Sequence, residues 1–217
     1  MDLTAHVLEL QIASNPADLR RVMPRILSEH RRILDIGCGA GQTLIASRLD
    51  AHVTAIGIDL DRKALELGRH IDGRVAYVQA RGEQLPLASD TFDLVISRVS
   101  LPYMNVRGAL AELARVLAPG GTAWFVLHPL SKALRELGES VRALEWRTAL
   151  HRLYVLANGA LLHVAGFDLP SPFSGRRESF QTEARVRAEL EALGFEDVQV
   201  KCRKFFVVTA RKRASRG

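Results

Sequence analysis

Short runs of consecutive apolar residues alternate along this chain with segments whose apolar residues recur three and four positions apart. Apolar runs of this kind indicate strands buried on both faces, and the wider spacing indicates helices that bury one face. The pattern therefore predicts a parallel α/β sheet covered by helices on both sides. The first five predicted strands are 32–36, 53–58, 75–78, 92–97 and 122–127.

The helices between these strands are predicted from their capping residues as well as their spacing. Asn15 before Pro16 is typical of a helix start, and the apolar residues that follow lie on one helical face as far as Leu27. Asp61 is predicted to cap the helix over 62–70. The remaining predicted helices in this part are 42–49, 62–70 and one that ends at Pro119-Gly120-Gly121.

The alternation stops after the fifth strand. Residues 129–181 show two helical patterns and a loop rich in Pro, Gly and Ser, with no clear strand. A helix over 182–193 follows, and strands near 198–201 and 205–210 are too close for a helix between them, so we expect an antiparallel hairpin. We expect one domain, 1–217, with 129–181 as a lid inserted into it.

Three glycines, Gly37, Gly39 and Gly41, directly follow the first strand, and a helix follows them. This strand–turn–helix order is typical of a mononucleotide-binding unit, because glycine allows the backbone to approach a ligand closely. Asp59 ends the second strand, about 20 positions later, where such folds bind the two hydroxyls of a ribose. A tight buried turn and a turn carboxylate are the structural alternatives.

Composition adds limits to this interpretation. The chain has 217 residues, 47% hydrophobic and 25% charged, as in an ordinary globular enzyme. Cys38 and Cys202 have no metal or disulfide spacing, no apolar run reaches membrane-span length, and the N-terminus lacks a signal-peptide core, so we expect a cytoplasmic protein. The net charge of +6 includes the basic tail 211–217. This tail is more typical of a solvated terminus than of a nucleic-acid contact.

The ordered motifs resemble those of one family, the class I S-adenosylmethionine-dependent methyltransferases, and within it the ubiquinone/menaquinone-biosynthesis-like group. They are Asp35-Ile36-Gly37-Cys38-Gly39-Ala40-Gly41, Asp59, Leu85-Pro86-Leu87 before Phe92-Asp93-Leu94-Val95, and Leu117-Ala118-Pro119-Gly120-Gly121. The resemblance covers about residues 30–128. It implies a Rossmann-like three-layer sandwich, a mostly parallel seven-stranded sheet with an antiparallel last strand, S-adenosylmethionine as cofactor and no metal.

The resemblance also implies a role for each matching residue. Asp35 and the glycine turn would face the methionine part of the cofactor, Asp59 would bind the ribose, and Leu60 would pack on adenine. The loop at 81–83 would hold the adenine edge. The full set implied for the cofactor is Asp35, Gly37, Cys38, Gly39, Gly41, Asp59, Leu60, Arg81, Gly82, Glu83, Ser97, Arg98 and Val99.

Two positions depart from related patterns. Where the family often has Asp, this chain has Arg81, which has five donors and no acceptor for the adenine amino group. Glu83, a backbone carbonyl or a lower cofactor affinity would have to compensate. Ser100-Leu101-Pro102-Tyr103 is similar to a signature of enzymes that methylate base or glutamine amines, but it lacks the first proline.

Methyl transfer from a sulfonium depends mainly on alignment and exclusion of water. A base is needed only for some acceptors, and His128 and Tyr103 are the candidate catalytic residues, with a turn and a loop position as their alternatives. The lid is expected to select a small-molecule acceptor, with O, N or C as the nucleophile, through its aromatic residues. These aromatic residues are Trp146, Tyr154, Phe167, Phe173 and Phe180.

Other interpretations remain open at this point. Four basic lid residues, His151, His163, Arg176 and Arg177, could meet an acidic group. A non-catalytic cofactor-binding module is one rival, and an RNA or protein methyltransferase is another. A nicotinamide-dependent oxidoreductase is the third, although its usual fingerprint places the third glycine one position later than Gly41. The sequence does not predict the oligomeric state.

Overall fold

A seven-stranded sheet forms the centre of the computed structural model, which describes residues 3–172 and 175–214. The strand order is β3-β2-β1-β4-β5-β7-β6. Strand β7 runs antiparallel to both of its neighbours, and the other pairs are parallel, as the resemblance implies. The strands are β1 Arg32–Ile36, β2 Thr54–Asp59, β3 Ala76–Gln79, β4 Phe92–Arg98, β5 Leu117–Leu127, β6 Phe195–Cys202 and β7 Phe206–Lys212.

Helices cover both faces of the sheet and complete a three-layer sandwich. Successive residues of β1 point to opposite faces: Ile33 belongs to one buried cluster, and Leu34 and Ile36 belong to the other. Both faces are apolar, which explains the uninterrupted apolar runs. The helices are α1 Leu3–Ser14, α2 Gln42–Ala46, α3 Arg62–Ile71, α4 Val106–Val116, α5 Leu130–Arg142, α6 Trp146–Ala165 and α7 Glu183–Ala192.

The predicted cap at Asp61 is confirmed, whereas α4 ends at Val116, before the predicted stop at Pro119-Gly120-Gly121, which lies within β5. The Asp61 carboxylate accepts hydrogen bonds from the backbone of Lys63 and Ala64 at the start of α3. The helix after the glycine turn is shorter than predicted, because α2 ends at Ala46. Strand β5 is longer than predicted, because it pairs with β4 from Leu117 onward.

The predicted helix over 15–27 is wrong. The helix of this region is α1, and it ends just before Asn15 because Pro16 has no N–H with which to continue it. The Asn15 and Asp18 side chains instead accept hydrogen bonds from backbone two residues ahead, which stabilises turns. Leu19 is 80% exposed, so no single buried helical face forms here.

The segment 129–181, predicted to be a lid, contains α5 and α6, which pack against each other as the two helical patterns predicted. The carboxylate of Glu178 joins the return segment to α6, at 2.9 Å from both His151 Nε2 and Arg152 Nη1. Of the aromatic residues predicted to select the acceptor, Phe180 is buried and Trp146 is 68% exposed, and Phe173 lies outside the described residues.

The basic lid residues also bind within the chain. His163 Nδ1 lies 2.8 Å from the hydroxyl of Thr182, and Arg177 donates to the carboxylate of Asp168. Arg176 is also engaged in an interaction. The end of the basic tail, beyond residue 214, lies outside the part of the chain that the structure describes.

Candidate active site

The glycine turn after β1 is a tight, left-handed backbone segment. Gly37, Gly39 and Gly41 have φ of 73°, 56° and 77°, a region that side chains with a Cβ rarely adopt. The amides of Gly37 and Cys38 both donate to the carbonyl of Ile58, at 2.7 and 2.9 Å. The turn is therefore held against the end of β2, with its backbone facing the carboxyl edge of the sheet.

Asp59 connects the end of β2 to the glycine turn. Its Oδ2 accepts from the Gly39 amide at 2.8 Å, and its Oδ1 accepts from the Asp61 amide at 2.9 Å. Each carboxylate oxygen can accept a further hydrogen bond. The side chain is partly exposed in the adjoining cleft, so it is a fixed acceptor for a ligand with two hydroxyl groups.

The cleft beside Asp59 has two compartments of about 290 and 230 Å³. They share Gly37, Asp59, Ser100 and Tyr103 and therefore form one continuous groove. One compartment extends over Leu60 and the loop at 81–83, and the other extends over Arg98 and beneath α1. This groove lies beyond the carboxyl ends of β1, β2 and β4, where the strand order switches and ligands of such sheets bind.

The groove brings together most of the thirteen residues predicted to bind the cofactor. Nine of the thirteen line it: Gly37, Gly39, Asp59, Leu60, Arg81, Gly82, Glu83, Arg98 and Val99. Tyr103 lines it as well. The other four, Asp35, Cys38, Gly41 and Ser97, do not line it, and His128 lines a neighbouring cavity instead.

The buried predicted residues support the groove from below. The Cys38 side chain belongs to a core cluster and lies against Gly57, so it is a packing residue. The Ser97 hydroxyl lies 2.9 Å from the carbonyl of Ile36 and 2.7 Å from the Ser100 hydroxyl, which joins the ends of β1 and β4. These side chains position the backbone of the groove and do not face it.

Asp35 is a buried carboxylate that makes no hydrogen bond of ordinary geometry among the described residues. Its side chain is 1% exposed. Burial raises the pKa of this carboxyl to about 7, although the charge of Arg98 and the nearby Thr43 hydroxyl oppose the shift. An orphan carboxylate beneath a ligand groove is expected to acquire a donor or a cation when the ligand binds.

Arg98 stands at the opposite end of the groove from Leu60. Its Nε donates to the Thr43 hydroxyl at 3.1 Å, and its Nη1 lies 3.0 Å from a Glu9 carboxylate oxygen. The next residue, Val99, has a φ of +66°, which is strained for a β-branched side chain. Strain of this kind is typical of functional sites, and here it turns the chain sharply between β4 and the groove.

The N-terminal helix contributes residues that sequence reasoning missed. His6 and Glu9 of α1 line the groove, as does Gln42, whose amide nitrogen lies 3.0 Å from His6 Nδ1. Ser100 and Met104 are further lining residues outside the predicted set. Helical periodicity over 3–14 was the available signal for α1, but no local motif indicates that it would cover a turn thirty residues away.

At the other end, Arg81 points its guanidinium toward Glu83, with an Nη2–Oε1 distance of 3.6 Å. Glu83 also accepts from the Asn105 amide at 2.9 Å. Leu60 is 56% exposed above this end of the groove, which suits it to pack on a flat ring. The site therefore offers an apolar surface, backbone groups and one partly neutralised cation.

The two candidate catalytic residues contact each other at the border of the groove. The rings of Tyr103 and His128 are 5.3 Å apart and nearly perpendicular. Burial raises the pKa of Tyr103 to about 12. Burial, reinforced by the charge of Lys132, lowers the pKa of His128 to about 4, so this imidazole is neutral at pH 7.

This fold and groove define the class of Rossmann-like proteins that bind a nucleoside-containing cofactor. A methyltransferase domain family matches residues 34–125. A malonyl-[acyl-carrier protein] O-methyltransferase of Geobacter sulfurreducens is 34% identical over 83% of this chain and 64% of its own length. A 27-O-demethylrifamycin SV methyltransferase of Amycolatopsis mediterranei is 34% identical over 51% of this chain and 44% of its own length.

A solved S-adenosylmethionine-dependent methyltransferase of Methanosarcina mazei has the same fold, with a TM-score of 0.57 and 22% identity over 87% of this chain and 95% of that one. The chain belongs to the class I S-adenosylmethionine-dependent methyltransferases. It spans less than two thirds of the length of the two curated relatives. Family membership does not favour the nicotinamide-dependent interpretation.

None of the described helices is both long and apolar enough to cross a membrane. Within residues 3–172 and 175–214, no group of three or more His, Cys, Asp or Glu side chains is placed to hold a metal ion.

Proposed function

We propose that this chain transfers the methyl group of S-adenosylmethionine to a small-molecule acceptor by direct in-line displacement. The observation that carries the proposal is the Asp59 carboxylate, which the glycine turn holds in a groove at the switch in strand order. The cofactor would supply an electrophilic methyl group on a sulfonium. Oxygen is the favoured accepting atom, because the two curated relatives are named for O-methylation or for an O-demethylated compound.

The residues of the groove fit this cofactor by charge. Asp59 would accept from the ribose hydroxyls, and Leu60 would pack on adenine with the Arg81–Glu83 loop at its edge. At the other end, the orphan carboxylate of Asp35 would compensate the cationic amino-acid end from below, while the Arg98 guanidinium would bind its carboxylate. Cys38, Gly41 and Ser97 would support this arrangement through packing and backbone geometry.

His128 and Tyr103 have different proposed roles. Tyr103 remains protonated at neutral pH and would form a wall that excludes water and orients the acceptor. The neutral imidazole of His128 lies behind it and could take a proton from an acceptor that carries one. An acceptor that is already anionic needs no such base. We also propose that residues 129–181 act as a lid within one methyltransferase domain; a cytoplasmic location stays a prediction.

Calorimetric titration of the chain with S-adenosylmethionine, S-adenosylhomocysteine and NAD tests the proposal. We expect one site for each of the first two ligands and no heat of binding for NAD. The proposal would be overturned if neither S-adenosylmethionine nor S-adenosylhomocysteine bound. Cofactor binding with no methyl transfer to any of a panel of hydroxyl, carboxylate and amine acceptors would instead favour a non-catalytic cofactor module, the alternative that Arg81 supports.

A further inference from the structure

A second cavity, of about 330 Å³, lies beside the cofactor groove at the same edge of the sheet. Its floor is formed by the paired ends of β5 and β7, where Leu127 lies opposite Phe206. Its walls are the first turns of α5 and the turn between β6 and β7, at 202–205. We refer to it below as the basic cavity, because its charged lining residues are all cationic.

Four cations line the basic cavity: Lys132, Arg135, Arg203 and Lys204. No Asp or Glu is among its described lining residues. The nearby carboxylates compensate these cations only in part, because Glu136 pairs with Lys132 at 2.8 Å and Glu139 lies 3.9 Å from Arg135. The cavity therefore combines an apolar floor with an excess of positive charge.

The two residues of the hairpin turn differ in their partners. Lys204 donates to the carbonyl of Leu19 and lies near Asp18. Arg203 has no hydrogen-bond or ion-pair partner in the described part of the chain. Arg203 is exposed and lines the cavity, and an arginine fork without a carboxylate partner is suited to bind a carboxylate or phosphate in two-point geometry.

The basic cavity meets the cofactor groove at two points. Val99 lines both of them, at the end of the groove that contains Arg98. Tyr103 lines the groove and contacts His128, which lines the basic cavity. A molecule in the basic cavity would thus lie next to the methionine end of the groove and far from Leu60 at the adenine end.

We propose that the basic cavity is the acceptor subsite and that it binds an anionic group, a carboxylate or a phosphate, on the acceptor. This inference rests on the proposed function, because it names the class of acceptor for the same site. Arg203 and Lys132 would hold the anion, and the apolar floor at Leu127 and Phe206 would contact the uncharged part of the acceptor. This proposal places the acceptor at a different position from the aromatic lid that the sequence predicts.

The test uses malonate as the carboxylate probe and inorganic phosphate as the phosphate probe, at constant ionic strength set with sodium chloride. Each is titrated into the full chain with and without saturating S-adenosylhomocysteine, and binding is followed by calorimetry. We expect at least one probe to bind, and the double substitution Arg203→Gln with Lys132→Gln to weaken that binding at least tenfold. Stronger malonate than phosphate binding would indicate a carboxylate acceptor, and the reverse would indicate a phosphate.

Matched controls separate this site from general charge effects. Arg142→Gln changes an exposed cation on the same helix as Lys132, and Lys201→Gln changes one on β6 near Arg203. These substitutions should leave anion binding within twofold. Arg203→Lys keeps the charge but loses the two-point fork, so it should weaken binding less than the double substitution does. The inference is overturned if neither probe binds, or if the double variant binds as the controls do. Failure of S-adenosylhomocysteine to bind would overturn the proposed function separately, because the anion titration without it does not depend on the cofactor.

Discussion

The cofactor groove and the basic cavity are neighbours with opposite construction. The groove is built from backbone turns at the ends of adjacent strands, and its charged groups are of both signs: the carboxylates of Asp59, Glu83 and Glu9 and the guanidinium groups of Arg81 and Arg98. The basic cavity is built from side chains of α5 and of the β6–β7 turn, and its charge is positive. The contrast suits a cofactor with hydroxyl and cationic groups on one side and an anionic acceptor on the other.

The groove and the basic cavity also differ in how their buried titratable groups respond to pH. Asp35 below the groove has a raised pKa, and His128 at the cavity has a lowered one. Between about pH 4 and pH 6.5 these two groups affect the free energy of unfolding with opposite signs. Substituting Asp35 and His128 one at a time therefore tests whether the two regions have opposite pH dependences.

The largest expected effect comes from Asp35→Asn. In the folded chain this carboxyl keeps its proton up to about pH 7, whereas in the unfolded chain it loses it near 3.8, so its contribution to stability falls as pH rises between these values. At pH 8 the buried charge of Asp35 destabilises the parent chain by about 4 kcal/mol. The variant has no such charge, but its buried amide without a partner costs about 1 kcal/mol.

Thermal and denaturant unfolding of the chain without cofactor check this prediction. We expect Asp35→Asn to be more stable than the parent chain by about 3 kcal/mol at pH 8, with the difference shrinking as the pH falls below about 7. The same variant should bind S-adenosylmethionine more weakly, since it lacks the negative charge under the groove. A variant that is less stable than the parent at pH 8 would show that Asp35 already has a partner in the free chain.

The second effect is on cofactor affinity. Asp59→Ala removes a charged acceptor of two ribose hydrogen bonds, and we expect the affinity for S-adenosylhomocysteine to fall about 100-fold, or about 2.7 kcal/mol. Binding of malonate in the basic cavity should be unchanged. Asp61→Ala is the matched control, because it removes the α3 cap but no proposed cofactor contact. Equal affinity in Asp59→Ala and the parent chain would exclude the ribose assignment.

The third effect belongs to the basic cavity and has the opposite pH dependence. The unfolded chain binds a proton at His128 near pH 6.5 and the folded chain only near pH 4, so stability from this residue is lost as pH falls through that interval. On lowering the pH from 7.5 to 5, the free energy of unfolding of His128→Gln should fall by about 2 kcal/mol less than that of the parent chain. Urea unfolding at pH 7.5 and pH 5 measures it. An unchanged pH dependence would mean that His128 is charged or solvated in the folded chain.

The smallest expected effect is on cofactor affinity at the adenine end of the groove, where Arg81 lies. Arg81→Asp restores an acceptor where this chain has only donors, and we expect a gain of about threefold in S-adenosylhomocysteine affinity, within the range of one partly exposed hydrogen bond. Arg107→Asp, on α4 outside the groove, is the charge-matched control. A loss of affinity specific to Arg81→Asp would indicate that the arginine itself contacts the cofactor.

The fold was predictable because its signals are local. The apolar runs, the cap at Asp61 and the final hairpin each depend on residues close in the chain, and the structure confirms the sheet they predict. The wrong helix over 15–27 shows the limit of such signals. Asn15 and Pro16 are as suitable for ending α1 as for starting a helix, and the outcome depends on what α1 covers.

The site was predictable in part for the same reason. The glycine turn and Asp59 belong to consecutive strands of the chain, and the Gly39 amide donates to the Asp59 carboxylate. A short sequence motif therefore indicates the groove. The basic cavity joins Lys132 to Arg203 across the lid and α7, and no periodicity relates these positions. Arg203 is visible in the sequence only as one cation in a short basic run, 201–204.

A crystal structure of the chain with S-adenosylhomocysteine and malonate is the most direct test that the groove binds the cofactor and that the basic cavity binds the acceptor. We predict the ribose hydroxyls on Asp59, the amino-acid end between Asp35 and Arg98, and malonate on Arg203 and Lys132 across Val99 from the sulfur. Density for the adenosine end beside Arg98, or for either ligand outside the groove and the basic cavity, would contradict it.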